Sequence, residues 1–169
     1  MGSTHRYLLF QARRSGDRVR AEERAAFAAR LDVTVDQITP FSILDGAFDT
    51  AQLQDVDAVL VGGAGEFSVV DPPEPVQRFI QTLTSIAEGG TPVFASCFGY
   101  QALVVGLGGE VIADEPNAEV GTYPLARTDE AAQDPLFSAL PTSFLAQLGA
   151  AQSIPPAAEE ERGGRRASA

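Results

Sequence analysis

The 169-residue chain contains no lysine; all 12 of its basic residues are arginine. Without lysine there is no Walker-type phosphate loop, whose glycine-rich turn ends in that residue. Schiff-base and pyridoxal chemistry, which need a lysine amine, are excluded as well. A single cysteine, Cys97, leaves no intramolecular disulfide framework and no cysteine-rich zinc site. A single histidine, His5, leaves a metal site to carboxylates alone. No spaced carboxylate motif such as an EF-hand loop occurs, so neither metal nor cofactor is expected. Basic charge is outnumbered by 23 acidic residues, for a net charge of −11. A surface this acidic repels phosphate backbones, so nucleic acid and anionic membranes are not expected partners. Long apolar runs are missing too, and none approaches the roughly 20 residues of a membrane span. The opening MGSTHRYLLFQARR places its arginines after a very short apolar run, the reverse of a secretory signal. The cytoplasm is the expected compartment.

Apolar residues make up 44% of the chain, ample for one core. Short apolar strands are expected at 6–11, 33–41, 58–61 and 91–96, then at 110–113, 121–127 and 143–148. Helices are expected at 18–31, 74–88 and 98–106, with a short helix or turn at 49–55. The first is alanine-rich, with Val19, Ala26, Phe27 and Leu31 as its apolar stripe and Glu22 and Glu23 interrupting it. The second starts between Pro73 and Pro75 and stops at Gly89-Gly90. Alternation of continuous apolar strands with helices predicts a three-layer α/β domain, a mostly parallel sheet with helices on both faces. Functional residues in such sheets gather at the carboxyl ends of the strands.

Cys97 falls at such an end, in Ala95-Ser96-Cys97-Phe98-Gly99-Tyr100-Gln101, between an expected strand and an expected helix. In a nucleophile elbow the residues two before and two after the nucleophile must be small, because backbones crowd there; Ala95 and Gly99 comply. The following helix would point its positive N-terminus at the sulfur, favouring a nucleophilic anion. The competing reading is a structural cysteine at a strand end, a common role for a lone cysteine. Gly62-Gly63-Ala64-Gly65 closes the preceding apolar strand. Such a loop can aim backbone N–H groups at a developing oxyanion, or be an ordinary turn. A dinucleotide-binding turn fits less well, since no third glycine follows Gly65 at the required spacing and Pro72-Pro73 delay the helix.

Strand, GG loop, helix and TPVFASCFGYQALVVGLGG in this order resemble the class I glutamine amidotransferase family, with its G-x-C-x-G-x-Q elbow. The resemblance is strongest to stand-alone proteins similar to the amidotransferase half of GMP synthase. FQAR..GD near the start, VGGAGEFSV in the middle and Glu119-Val120-Gly121-Thr122-Tyr123 support it, so that it spans most of 6–149. It implies a flavodoxin-like fold in which Cys97 attacks the side-chain carboxamide of L-glutamine, giving a γ-glutamyl thioester and ammonia. It further implies an oxyanion hole from the N–H groups of Gly63 and Phe98, and substrate contacts from Gly62 and Gln101. Ammonia would pass to an accepting synthetase domain or subunit.

The resemblance stops at Gly149. The family's histidine would fall at Ala150 and its acid at Gln152, and the closing family strands and helix have no counterpart. The expectation is therefore a domain over 1–149, incomplete at its C-terminus, with a disordered non-family tail over 150–169 that is a shifted reading frame or a degenerate end. Loss of the base implies inactivity or strong impairment, and the shortened sheet implies an open edge prone to association. Two other readings stand beside glutamine hydrolysis: a non-catalytic glutamine-binding or regulatory subunit, and another cysteine-elbow hydrolase of similar fold.

Overall fold

The computed structural model describes residues 4–155. Its centre is a four-stranded parallel sheet of β1 (Tyr7–Ala12), β2 (Ile38–Ser42), β3 (Ala58–Ala64) and β4 (Val93–Ala95), in the order β2-β1-β3-β4. β1 and β3 are the inner strands. Their side chains alternate between two helical layers, as the two-residue repeat of a strand requires. Leu8, Phe10, Val59 and Val61 enter the larger core with α2 (Glu74–Glu88) and α3 (Phe98–Gly106). Leu9 and Leu60 face the other way, toward α1 (Val19–Leu31), with Ala28 and Ile38. The expected α/β architecture, a parallel sheet flanked by helices, is the one found.

α2 carries most of the large core. Val76, Phe79, Ile80, Leu83 and Ile86 recur at helical spacing and are all buried. Each contributes about 1.5–3 kcal/mol as an upper estimate. Phe79 links the layers: its ring lies 5.3 Å from that of Phe10 on β1 and stacks 6.0 Å from that of Phe98, the first residue of α3.

α1 is thinner than expected. Only Ala28 is fully buried on it, and Ala26 of the expected stripe is exposed. Beside it an apolar groove of ≈ 460 Å³, lined by Phe27, Leu31, Leu60 and Phe94 among others, stays open. The segment 91–96 is likewise not the fully buried strand expected. Among the described residues β4 is a three-residue edge strand, paired on one side only, and Phe94 remains 53% exposed. The segment 33–41 divides into a 3₁₀ turn at Val35–Gln37 and β2, because Thr34 and Gln37 form a reciprocal capping box that holds the first half off the ladder.

The C-terminal third leaves the parallel sheet. β6 (Glu119–Ala126) pairs antiparallel with β7 (Ser143–Ala150), and β5 (Ile112–Ala113) pairs antiparallel with β8 (Gln152–Ser153). Strand pairing thus runs past Gly149, where the sequence pattern breaks. Residues 156–169, most of the expected tail, lie outside the described residues. Among the described residues no helix is long and apolar enough to cross a membrane.

Candidate active site

Three segments converge at the carboxyl ends of the parallel strands. The first is the loop leaving β3. Its pairing with β1 shifts register between Phe10 and Ala12, freeing the glycine run from the regular ladder. The second is the β4–α3 junction, fastened by a bond from Ser96 N to Val61 O of 2.9 Å. The third is the end of β7 with β8, held when Asp114 N donates to Ala151 O at 2.9 Å and Ser153 Oγ donates to Asp114 Oδ2 at 2.9 Å.

At the second segment Cys97 has φ 51° and ψ −116°, in a region that side chains other than glycine rarely occupy. A conformation of this kind costs on the order of 1–3 kcal/mol and persists only where its surroundings enforce it. The enforcing contacts are visible. Gly99 packs so closely on β3 that a Cβ there would lie 2.5 Å from Val61 Cγ1 and 3.0 Å from Val61 O. Phe98 is 3% exposed and anchors the start of α3 in the core. The turn bonds Gly99 N to Ser96 O and Gln101 N to Cys97 O, both 3.0 Å, complete it. The elbow therefore turns the Cys97 thiol outward; the residue is exposed, not sealed in the packing.

The thiol opens into a cleft of ≈ 290 Å³. One wall is the Ala64–Ser68 loop, the floor is Cys97, Phe98 and Gln101, and the far wall is Gly149–Gln152. Gly63 borders the sulfur, with the position of its absent Cβ 3.9 Å from Cys97 Sγ. Phe98 N is the first amide of α3 and has no intrahelical acceptor by geometry, so it adds a donor and the helix's positive end beside the sulfur. Gln101 is 9% exposed and borders the cleft.

Charge is sparse here. Among the described residues lining the cleft, Glu66 is the one ionisable group apart from Cys97, and it is bound to Arg14, Nε to Oε1, at 2.6 Å. That hydrogen bond, with the attraction of the carboxylate, raises Arg14 above its ordinary value. Arg14 also lies over the Phe67 ring at 5.8 Å, bracing the loop from outside. On the far wall, Gln152 Nε2 donates to Ser68 Oγ at 2.8 Å, and Val70 N donates to the same oxygen at 2.9 Å.

The family model for "Glutamine amidotransferase class-I" matches residues 20–148. The chain belongs to the class-I glutamine amidotransferase family. Solved structures share the fold of this amidotransferase-family domain. A glutamine amidotransferase from Thermotoga maritima is 14% identical with a TM-score of 0.67, over 90% of this chain and 63% of that one. A putative GMP synthase subunit from Thermoplasma acidophilum is 15% identical with a TM-score of 0.62, over 90% and 68%. A glutamine amidotransferase from Methylobacillus flagellatus is 20% identical with a TM-score of 0.58, over 91% and 59%. The chain thus spans roughly three fifths to two thirds of the length of these structures. No curated protein matches it.

Of the residues singled out in the sequence, Cys97, Phe98 and Gln101 line one cleft, and Gly63 lies beside the sulfur, where a Cβ on it would be 3.9 Å away. Gly62 does not line the cleft; it is buried on the opposite side of the strand, against Glu23. Ala150 and Gln152 stand in the far wall, facing the cleft that holds Cys97. The pairing of Ala150 with Glu119 and of Gln152 with Ala113, and the Ser68–Gln152 bond across 84 residues, are not readable in the sequence because no local pattern announces partners so far apart.

Proposed function

We propose that this domain binds L-glutamine in the Cys97 cleft and opens its side-chain amide through a γ-glutamyl thioester, with the proton-transfer step crippled. The observation that carries the reading is the strained Cys97 elbow, which exposes a sulfur beside Gly63 at the head of α3. Cys97 Sγ attacks the carboxamide carbon and the carbonyl electron pair moves to oxygen. The N–H groups of Gly63 and Phe98 take up that negative charge, a contribution typically on the order of 10²–10³ in rate for a single donor. Gln101 helps hold the substrate. Collapse of the intermediate breaks the C–N bond, and the nitrogen must collect a proton to leave as ammonia. Water then cleaves the thioester to glutamate.

A base near the sulfur ordinarily serves both proton steps, and the far wall offers alanine and a neutral amide at 150 and 152. Acylation and deacylation are both slowed, by several orders of magnitude on the scale of comparable nucleophile–base systems. Any ammonia produced is passed to an accepting synthetase domain or subunit in the cytoplasm, where a lone thiol stays reduced. The same alanine and amide favour a second reading, a glutamine-binding regulatory subunit that performs no chemistry.

Incubation with a glutamine-mimicking diazo-ketone, followed by mass spectrometry of the adduct and an ammonia-release assay, separates the two. The glutaminase reading expects an adduct on Cys97 with slow ammonia release. No adduct, with glutamine still raising the melting temperature, supports the binding subunit. Turnover at an ordinary enzymatic rate overturns the assignment of Ala150 and Gln152 as a missing base and acid.

A further inference from the structure

The glycine loop is backed by ionic side chains that amide hydrolysis does not use. Gln11, at the end of β1 and 1% exposed, donates Nε2 to Glu23 Oε2 at 2.9 Å and to Arg20 O at 2.9 Å. Glu23 Oε1 faces Arg13 Nη2 at 3.7 Å. Arg13 Nη1 reaches Asp17 Oδ2 at 3.7 Å and lies 3.6 Å from where a Cβ on Gly65 would sit. The side chains of Arg13 and Glu23 retain only 14% and 10% of their exposure, and Arg13 Nε is buried without a hydrogen-bond partner among the described residues. Two charges held this far from water, at a separation too long for a hydrogen bond, add little net stability. Their placement is informative. A Cβ on Gly62 would overlap the Glu23 carboxylate, and the next residue, Gly63, faces Cys97 from the other side of the strand. Successive residues of an extended chain point to opposite faces, so pressure on Gly62 is transmitted directly to the peptide that carries the Gly63 N–H.

We infer that Glu23, fastened by Gln11 and Arg13, is a positioning residue that sets the Gly62-Gly63 peptide at the height the oxyanion requires. The inference rests on the glutaminase reading and extends it to a residue on α1, outside the cleft. A displacement of about 1 Å at such a donor can cost on the order of 10²-fold in rate.

The test uses the γ-(4-nitrophenyl) ester of L-glutamate. Cys97 Sγ attacks the ester carbonyl through an oxyanion, and the C–O bond breaks with nitrophenolate leaving as the anion, so no proton donor is needed. The burst of nitrophenolate, corrected with Cys97→Ser, measures acylation. Alkylation of Cys97 by iodoacetamide needs the same sulfur and forms no oxyanion. Glu23→Gln, and the uncharged pair Arg13→Gln with Glu23→Gln, which leaves no lone buried charge should the single variant misfold, are expected to slow the burst about 10-fold or more. Alkylation should stay within twofold. A burst in the paired variant within twofold of the parent overturns the positioning role, as does an equal fall of both rates. If the parent chain alkylates but gives no burst above Cys97→Ser, the glutaminase reading fails and takes this inference with it. A parent burst with unaffected variants removes the inference alone.

Discussion

Installing Ala150→His together with Gln152→Glu should raise glutamine-dependent ammonia release about 100-fold. Ala150 is the last residue of β7 and Gln152 the first of β8, and both line the cleft that holds Cys97. A separation of two residues in near-extended chain puts the two side chains on the same side, so a carboxylate at 152 can orient an imidazole at 150. Space is sufficient: ≈ 290 Å³ is room for roughly ten waters at about 30 Å³ each. The bond from Gln152 Nε2 to Ser68 Oγ is lost with glutamate, but the Ser68 hydroxyl can then donate to the new carboxylate while still accepting from Val70 N. General acid–base catalysis contributes about 10²–10⁴-fold when well placed. The lower end is the expectation for a ring with no packing evolved around it, which corresponds to about 2.7 kcal/mol of barrier. Ala150→His alone, without an orienting acid, should give about 10-fold, and Gln152→Glu alone nothing. The assay is single-substrate ammonia release across pH 5–8, where the gain should grow through the ordinary histidine range near 6.5 as the ring becomes a base. No gain in a folded double variant whose Cys97 still takes the diazo-ketone would refute the placement of 150 and 152 around the sulfur. So would a gain that survives Cys97→Ala.

Three other perturbations probe the elbow and the frame. Cys97→Gly should raise stability by about 1–2 kcal/mol in urea denaturation while abolishing labelling, since glycine takes φ 51° without strain and an exposed thiol contributes little packing; a destabilised variant would show that the backbone there is relaxed. Gly99→Ala should cost about 2–3 kcal/mol and slow iodoacetamide alkylation of Cys97, because its Cβ meets Val61 Cγ1 and the Val61 carbonyl; wild-type stability would mean that α3 does not press on β3. Asp57 is held below the ordinary carboxyl value chiefly by the Arg6 N–H, which outweighs the opposing effect of desolvation, and the hydrogen bond and charge of His5 add smaller lowering effects. A lowered folded value stabilises above the unfolded pKa and is lost as pH falls through the folded one. Asp57→Asn should therefore be slightly less stable than the parent at pH 7 and indistinguishable once the pH is well below 3.8; a difference that persists in strong acid would contradict the assignment.

The helices nearest the site are legible in the sequence because local rules decide them. α2 begins between two prolines and ends at a glycine pair, and α3 begins directly after the elbow, so both occupy the expected residues. β4 departs from expectation because burial of an apolar run depends on what stacks above it: TPVFAS reads as a core strand, yet it lies at the sheet edge with Phe94 half open. The 33–41 segment is split by a capping box whose two residues do appear in the sequence, as Thr34-x-x-Gln37. Cys97 and its neighbours are legible from the spacing of small residues. The far wall is not, since the β5–β8 and β6–β7 pairs bring 112–126 against 143–153 through contacts that no local pattern announces.

Glu23 shows how the two levels of reading trade places. In the sequence it counts as a fault, a charge breaking the apolar stripe of α1. In the fold α1 fully buries only Ala28, with Phe27 and Leu31 of the stripe packed at the margin of that core, and the fault is what reaches the glycine loop. The site then divides by origin. The sulfur, the proposed oxyanion donors and their proposed ionic backing come from β1, α1, β3 and the β4–α3 elbow, all parts of the parallel sheet and its flanking helices. The groups at 150 and 152 come from the antiparallel strands. The first set presents Cys97 to the cleft, and the second holds alanine and a neutral amide. Steps that need only a nucleophile and fixed N–H donors should therefore survive in this chain, while steps that need a proton moved should not. An activated ester should acylate Cys97 readily where glutamine itself reacts slowly, and that ordering of substrates by leaving group follows from which layer each group belongs to.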